Sequence, residues 1–173
     1  IAACAALSIQ ATGLAAQVSL TWAPKFSQTI TYAIGLNPLD TNILYTQKAG
    51  IFYVSHDKGN NWQARGSGFP TDQVRNITVN PLDTNSIILA GFGVWRSPDG
   101  GWSWNQTLSN VQIDGESIDY NYQTPRTMYF VDFNLSRFYI STAKGDTWTQ
   151  RSTVSFGNVC TIGSDPNASN IIL

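Results

Sequence analysis

Three features of the sequence predict an all-β fold built from repeated small antiparallel sheets. The first is a recurring segment, Ser-x-Asp-x-Gly-x-(Ser/Thr/Asn)-Trp. It appears as SHDKGNNW (Ser55 to Trp62), as SPDGGWSW (Ser97 to Trp104) and, worn, as STAKGDTW (Ser141 to Trp148). The serines stand 42 and 44 residues apart, the period of one small sheet per repeat. The second is a co-repeating turn, Asn37-Pro38-Leu39-Asp40-Thr41-Asn42, which returns from Asn80 to Asn85 and near the end from Asp165 to Asn170. The third is the short alternating runs of Ile, Val, Phe and Trp that separate these motifs. Four antiparallel strands in 42-odd residues make one blade of a β-propeller.

Taken in order, residues 1–17 (IAACAALSIQATGLAAQ) are rich in alanine and carry no charge. They read as the back half of a secretory signal, with Gly13 and Ala15 at the two positions where a signal peptidase requires small residues. Ile1-Ala2-Ala3-Cys4 also resembles a lipobox, but the residues after it are apolar where a lipidated cysteine is usually followed by a polar tether. The run is too short to span a membrane. Residues 18–173 are then a partial propeller. Thr21-Trp22 matches the end of the repeated segment, so residues 20–24 read as a fourth strand whose partner lies outside this chain. Three full repeats follow at about 30–64, 74–107 and 117–151, with an unfinished one from about 158. In the second repeat the strands fall near 74–80, 86–91, 93–97 and 103–107. The continuous apolar run Ile87-Ile88-Leu89-Ala90 suits a strand covered on both faces. The turn from Asn121 to Arg126 is an eroded copy with Pro125 displaced. The chain reads as a fragment of a larger ring, expected to have seven or more blades.

The repeated segment has a mechanical reading. Asp57 and Asp99 can accept hydrogen bonds from turn N–H groups and from Ser55 and Ser97. Gly59, Gly101 and Gly145 stand where a hairpin needs positive φ. Trp62, Trp104 and Trp148 are large enough to wedge one sheet against the next. Ala143 follows Ser141 where the other copies carry Asp, so the third turn should be looser. These residues resemble the Asp-box, or BNR repeat, of sialidases, xyloglucanase-type glycosidases, sortilin-like receptors and photosystem II assembly factors. All of these are β-propellers, and the resemblance covers nearly the whole chain after about residue 20. It implies the fold. Hydrolases, receptors and chaperones share such a blade, so it does not select among them.

With 42% hydrophobic and 12% charged residues and a net charge of −1, the chain is too balanced for nucleic acid or anionic membranes. Cys160 is a lone cysteine once residues 1–17 are removed, and reads as a small buried hydrophobe. His56 has no Cys, His or carboxylate at metal-ligand spacing, so neither metal nor cofactor is expected. The sequons at Asn76, Asn105, Asn134 and Asn167 are near what chance gives in so Asn- and Ser-rich a chain.

In a meander, successive connections alternate between two rims, so both repeating turns share one rim and the variable loops occupy the other. On that second rim Asp114 and Glu116, in VQIDGES, form the best carboxylate pair; Asp119 follows in an innermost strand, where it could face the central channel, and Asp72 and Arg75 flank another loop. Trp102, at a variable position of the second serine turn and so on the first rim, is a further candidate for ligand contact, the other reading being that it packs on its own turn. Resemblance to sialidases implies an arginine triad opened by an Arg-Ile-Pro motif, and none of the arginines stands in one. Resemblance to xyloglucanases implies an Asp where Ala49 stands. The function expected is a non-catalytic, exported scaffold that binds a protein or glycan on the rim opposite the repeated turns. A glycoside hydrolase with residues in missing blades is the alternative.

Overall fold

The computed structural model describes residues 5–8, 21–24, 33–69, 74–112, 118–133, 137–152, 162–165, 167 and 171–172. The strands are β1 (Ala5–Ser8), β2 (Thr21–Pro24), β3 (Ile34–Leu36), β4 (Leu44–Lys48), β5 (Ile51–Ser55), β6 (Gln63–Ser67), β7 (Val74–Asn80), β8 (Asp83–Gly91), β9 (Gly93–Ser97), β10 (Asn105–Leu108), β11 (Ile118–Tyr120), β12 (Met128–Asp132), β13 (Arg137–Ser141), β14 (Thr149–Ser152), β15 (Gly163–Ser164) and β16 (Ile171–Ile172). Strands β3 to β6, β7 to β10 and β11 to β14 form three four-stranded antiparallel meanders, each in chain order. They are the three blades read from the period of the sequence. β15 pairs with β16 as a further hairpin. Among the described residues there is no helix.

One expectation is corrected at the start of the chain. Thr21–Pro24 does find a partner within it, pairing antiparallel with Ala5–Ser8 so that Leu7 lies opposite Trp22. The residues that supply β1 were expected to belong to a signal. An uncharged stretch without proline can equally satisfy the free N–H and C=O groups of a strand edge.

The core lies between the blades. Strand β8 shows why: Ile87 and Leu89 join Tyr45, Phe52 and Val54 of the first blade, while Ile88 and Ala90 join Ile118, Tyr120 and Phe130 of the third. Side chains alternate across a strand, so an apolar run with no polar break packs on both faces. A third cluster joins Tyr129 and Val131 to Ile162. Asp119, in the first strand of its blade, accepts hydrogen bonds from the Ser164 backbone N–H (3.1 Å) and Oγ (3.4 Å), so its carboxylate joins the third blade to β15.

The asparagine turns join the first and second strands. Asn37 Oδ1 accepts the N–H groups of Leu39 (2.9 Å) and Asp40 (3.1 Å), and its Nδ2 donates to the Tyr45 hydroxyl (3.2 Å). Asn121 repeats this with Gln123 (2.9 Å), Thr124 (3.1 Å) and the Tyr129 hydroxyl (2.8 Å). The eroded copy therefore keeps the geometry in full, because the bonds use the asparagine and the backbone rather than the proline. In the second blade Ile88 stands where Tyr45 and Tyr129 stand, and Asn80 Nδ2 donates instead to Pro125 O across the blade boundary (3.0 Å). Each asparagine turn is tied to the serine turn of its own blade: Lys58 N to Asn42 O (2.9 Å), Gly100 N to Asn85 O (2.8 Å) and Lys144 N to Arg126 O (2.8 Å). Both repeated turns thus share a rim, as the meander requires.

Candidate functional site

The serine turns join third to fourth strands. Ser55 Oγ donates to Asp57 Oδ1 (2.8 Å) and accepts the Gly59 N–H (2.8 Å). Asp57 in turn accepts the Asn61 N–H (2.8 Å) and side-chain amide (2.6 Å). Ser97 and Asp99 repeat the pattern with Gly101 (2.7 Å) and with the backbone N–H (2.9 Å) and hydroxyl (2.6 Å) of Ser103. The Asn61 backbone N–H, and then its side-chain amide, hold the Asp57 carboxyl down at about 2. For Asp99, partial burial opposes ionisation, but the bonds from Ser103, Ser97 and Trp102 outweigh it and again hold the carboxyl at about 2. Both oxygens of each carboxylate accept hydrogen bonds from their own turn.

Trp62 and Trp104 donate to the carbonyls of Gly59 (3.0 Å) and Gly101 (3.1 Å). Trp104 also wedges against the first blade, edge-on to Phe52 at 5.0 Å and Phe69 at 5.5 Å. Gly101 has φ 96° and lies so close to the first blade that a Cβ there would sit 2.4 Å from the Phe52 ring. The third turn keeps its backbone geometry without the carboxylate-centred bonds of the other two. Ser141 Oγ still accepts the Ala143 (3.2 Å) and Gly145 (2.9 Å) N–H groups, and Lys144 keeps the left-handed φ of 57° that Lys58 has at 59°. The second blade braces this turn from outside: Arg96 Nε donates to Lys144 O (3.0 Å) and its guanidinium pairs with Asp146 (2.8 Å). Trp148 donates to Thr107 Oγ1 of that blade (3.2 Å).

The opposite rim carries a groove of about 570 Å³ between the second and third blades, lined by Phe92, Gln106, Ser109, Asn110, Val111, Gln112 and Asp132. Phe92, at the tight link between β8 and β9, is 41% exposed. Asn110 takes a left-handed turn (φ 57°) into the loop between the blades. Asp132, at the end of β12, is wholly buried, and its Oδ1 accepts the Gln112 N–H (3.2 Å). The Phe133 N–H returns to Gln112 O (2.9 Å), which fixes the loop against the blade. The groove thus offers an aromatic face, three amides, a hydroxyl and one carboxylate. The sequence reading placed VQIDGES, with Val111 and Gln112, on this rim, but did not single out Phe92, which the Gly91-Phe92-Gly93 link marks as a large apolar residue in a tight turn.

Asp72, Asp114 and Glu116 lie outside the described residues. Arg75 is half-buried on β7, beside the register shift between Val74 and Asn76. Trp102 is 62% exposed, but on the rim of the serine turns, where the Arg65 guanidinium stacks 5.4 Å from its ring centre. Arg65 also donates to Gly100 O (2.9 Å), so it binds the second blade's turn much as Arg96 binds the third's. His56 is exposed and 3.5 Å from Arg65 Nη2. Among the described residues no cluster of His, Cys, Asp and Glu could hold a metal ion, and no helix is long and apolar enough to cross a membrane.

The sequence matches no family profile and no curated protein. Its fold does have relatives among solved structures. The GH74 enzyme of Niastella koreensis is 21% identical with a TM-score of 0.56, over 74% of this chain and 23% of that one. The GH74 xyloglucanase of Xanthomonas campestris is 19% identical with a TM-score of 0.55, over 80% of this chain and 22% of that one. YCF48 of Cyanidioschyzon merolae, a protein also solved bound to D1 peptide, is 19% identical with a TM-score of 0.51, over 70% of this chain and 36% of that one. The chain spans about a fifth to a third of the length of these proteins. All are β-propellers, and the three blades described here have the β-propeller fold.

Proposed function

We propose that this chain is part of an exported Asp-box β-propeller that works as a non-catalytic scaffold, binding a protein or glycan on the rim opposite its serine turns. One observation carries the reading: among the described residues the groove between the second and third blades pairs an exposed aromatic with Gln106, Asn110 and Gln112 but holds one carboxylate, Asp132, already engaged by the Gln112 N–H. An aromatic ledge flanked by amides recognises polar surfaces by stacking and hydrogen bonding. Glycoside hydrolysis needs two carboxylates, roughly 5–10 Å apart across the scissile bond. The D1-peptide complex of YCF48 supports a protein ligand for propellers of this shape.

The second reading is a glycoside hydrolase, favoured by the GH74 neighbours and by Asp114 and Glu116, which follow Gln112 closely in the chain. A panel of peptides and neutral oligosaccharides, screened against the intact protein and its Phe92→Ala variant, separates the two. The scaffold reading expects saturable binding without turnover, weakened about tenfold by the loss of one stacking ring. Hydrolysis of a xyloglucan oligosaccharide, abolished by Asp114→Asn or Glu116→Gln, would replace it with the hydrolase.

A further inference from the structure

A second concavity lies on the serine-turn rim, away from the groove. It is a notch of about 190 Å³ between the second and third blades, lined by Asn80, Leu82, Asp83, Pro125, Arg126 and Lys144. Its walls are held from both sides. Asn80 spans it from the Leu82 N–H (2.9 Å) to Pro125 O, and Lys144 is bound at its N–H by Arg126 O and at its carbonyl by Arg96. The Lys144 ammonium pairs with Asp83 at 3.0 Å, both side chains about one-third exposed. Arg126 is exposed, and among the described residues its guanidinium has no hydrogen bond or ion pair. Two cations against one carboxylate leave the notch with one positive charge in excess. Beside that charge stand Pro125 and Leu82, which is 75% exposed.

The Tyr120 and Ser86 hydroxyls are buried to within 1%, and the Ser86 and Asn80 side chains hydrogen-bond to the phenol, which only partly offsets its burial. Burial pushes the Tyr120 hydroxyl up to about 12, so it stays a neutral donor across the working range.

We propose that this notch binds a peptide carboxylate carried next to an apolar side chain. Arg126 supplies the fork that a carboxylate accepts in two parallel hydrogen bonds, and Lys144 adds a point charge. Leu82 and Pro125 take the neighbouring apolar group. The single excess charge suits a monoanion, whereas a phosphate dianion would leave a negative charge unmatched beside Asp83. Because the walls are already cross-linked, binding orders little beyond the ligand itself.

The test uses the intact protein with N-acetyl-leucyl-glutamyl amide at millimolar concentration, read by amide chemical shifts. The expected result is saturable movement of the resonances of Asn80, Leu82, Asp83, Arg126 and Lys144. The glutaminyl analogue should leave them unmoved. Arg126→Ala should weaken binding about tenfold, the weight of one charge-assisted pair, and Arg126→Lys should restore part of it. Arg126 is exposed and engaged only through its backbone, so its replacement should leave the melting temperature unchanged. No movement with the glutamyl peptide, or equal movement with the glutaminyl one, overturns the proposal. Inorganic phosphate binding as tightly as the peptide also overturns it, reducing the notch to a general anion site. None of these outcomes touches the groove on the other rim.

Discussion

Asp57 and Asp99 differ from Ala143 by one carboxylate, and that difference sets how each turn answers to acid. Both carboxyls ionise at about 2 in the folded chain against an ordinary 3.8. A carboxyl whose pKa falls on folding stabilises the fold fully above the unfolded value and loses that contribution as pH drops through the folded one. The melting temperature should therefore hold steady down to about pH 4 and fall between about 4 and 2. Asp57→Asn with Asp99→Asn should flatten that limb, and an unaltered limb would mean that other groups carry it. At neutral pH, Asp99→Ala should cost about 1 kcal/mol, the usual net worth of such bonds near the surface. Urea unfolding measures it, and any ligand binding should survive wherever the protein stays folded.

The serine turns were legible in the sequence because their chemistry is local: serine, carboxylate, glycine and tryptophan meet within eight residues. The devices between elements were not. Arg65 and Arg96 look like ordinary surface arginines, yet each reaches a backbone carbonyl 35 or 48 residues away. Asn121 was read as worn because Pro125 is displaced, while its amide makes the same bonds as Asn37. Arg96 ties the third turn to the second blade through Lys144 O and Asp146, so Arg96→Ala should destabilise the chain more than replacement of an unpaired surface arginine such as Arg126. Hydrogen exchange at Gly145 and Asp146 should rise with it, and unchanged protection there would show that the third turn needs no external support. Trp104→Ala empties the space between Phe52 and Phe69 and should cost roughly 3–5 kcal/mol. Gly66→Ala belongs to the same boundary. Its Cβ would fall 2.1 Å from Gly101 O, a backbone atom that cannot step aside without parting β6 from the second blade's turn. Denaturant midpoints of the two variants should drop together.

At the scale of the whole molecule, the repeat shows what each face of a blade is for. Ile77 and Val79 of β7 bury against the first blade, and Ile118 and Tyr120 of β11, at the same two positions before their asparagine turns, bury against the second. Ile34 and Leu36 hold those positions in β3, yet they are 41% and 64% exposed. The first blade therefore presents, to solvent, the face that its two successors use to pack against the blade before them. A face of this register is shaped for the trailing side of another blade, the side on which the first blade itself carries Tyr45, Phe52 and Val54. The isolated 173-residue chain is accordingly expected to bind a hydrophobic dye and to associate as concentration rises. Ile34→Lys with Leu36→Lys should suppress both while barely moving the melting temperature, since neither side chain is buried. In a protein carrying a blade on that side, the same pair of changes should destabilise, as a charge placed at a buried blade boundary must. Sedimentation velocity and thermal melting of the two forms decide it. Equal tolerance in both would mean that the exposed face of β3 is simply surface, and that the register shared with β7 and β11 carries no packing consequence there.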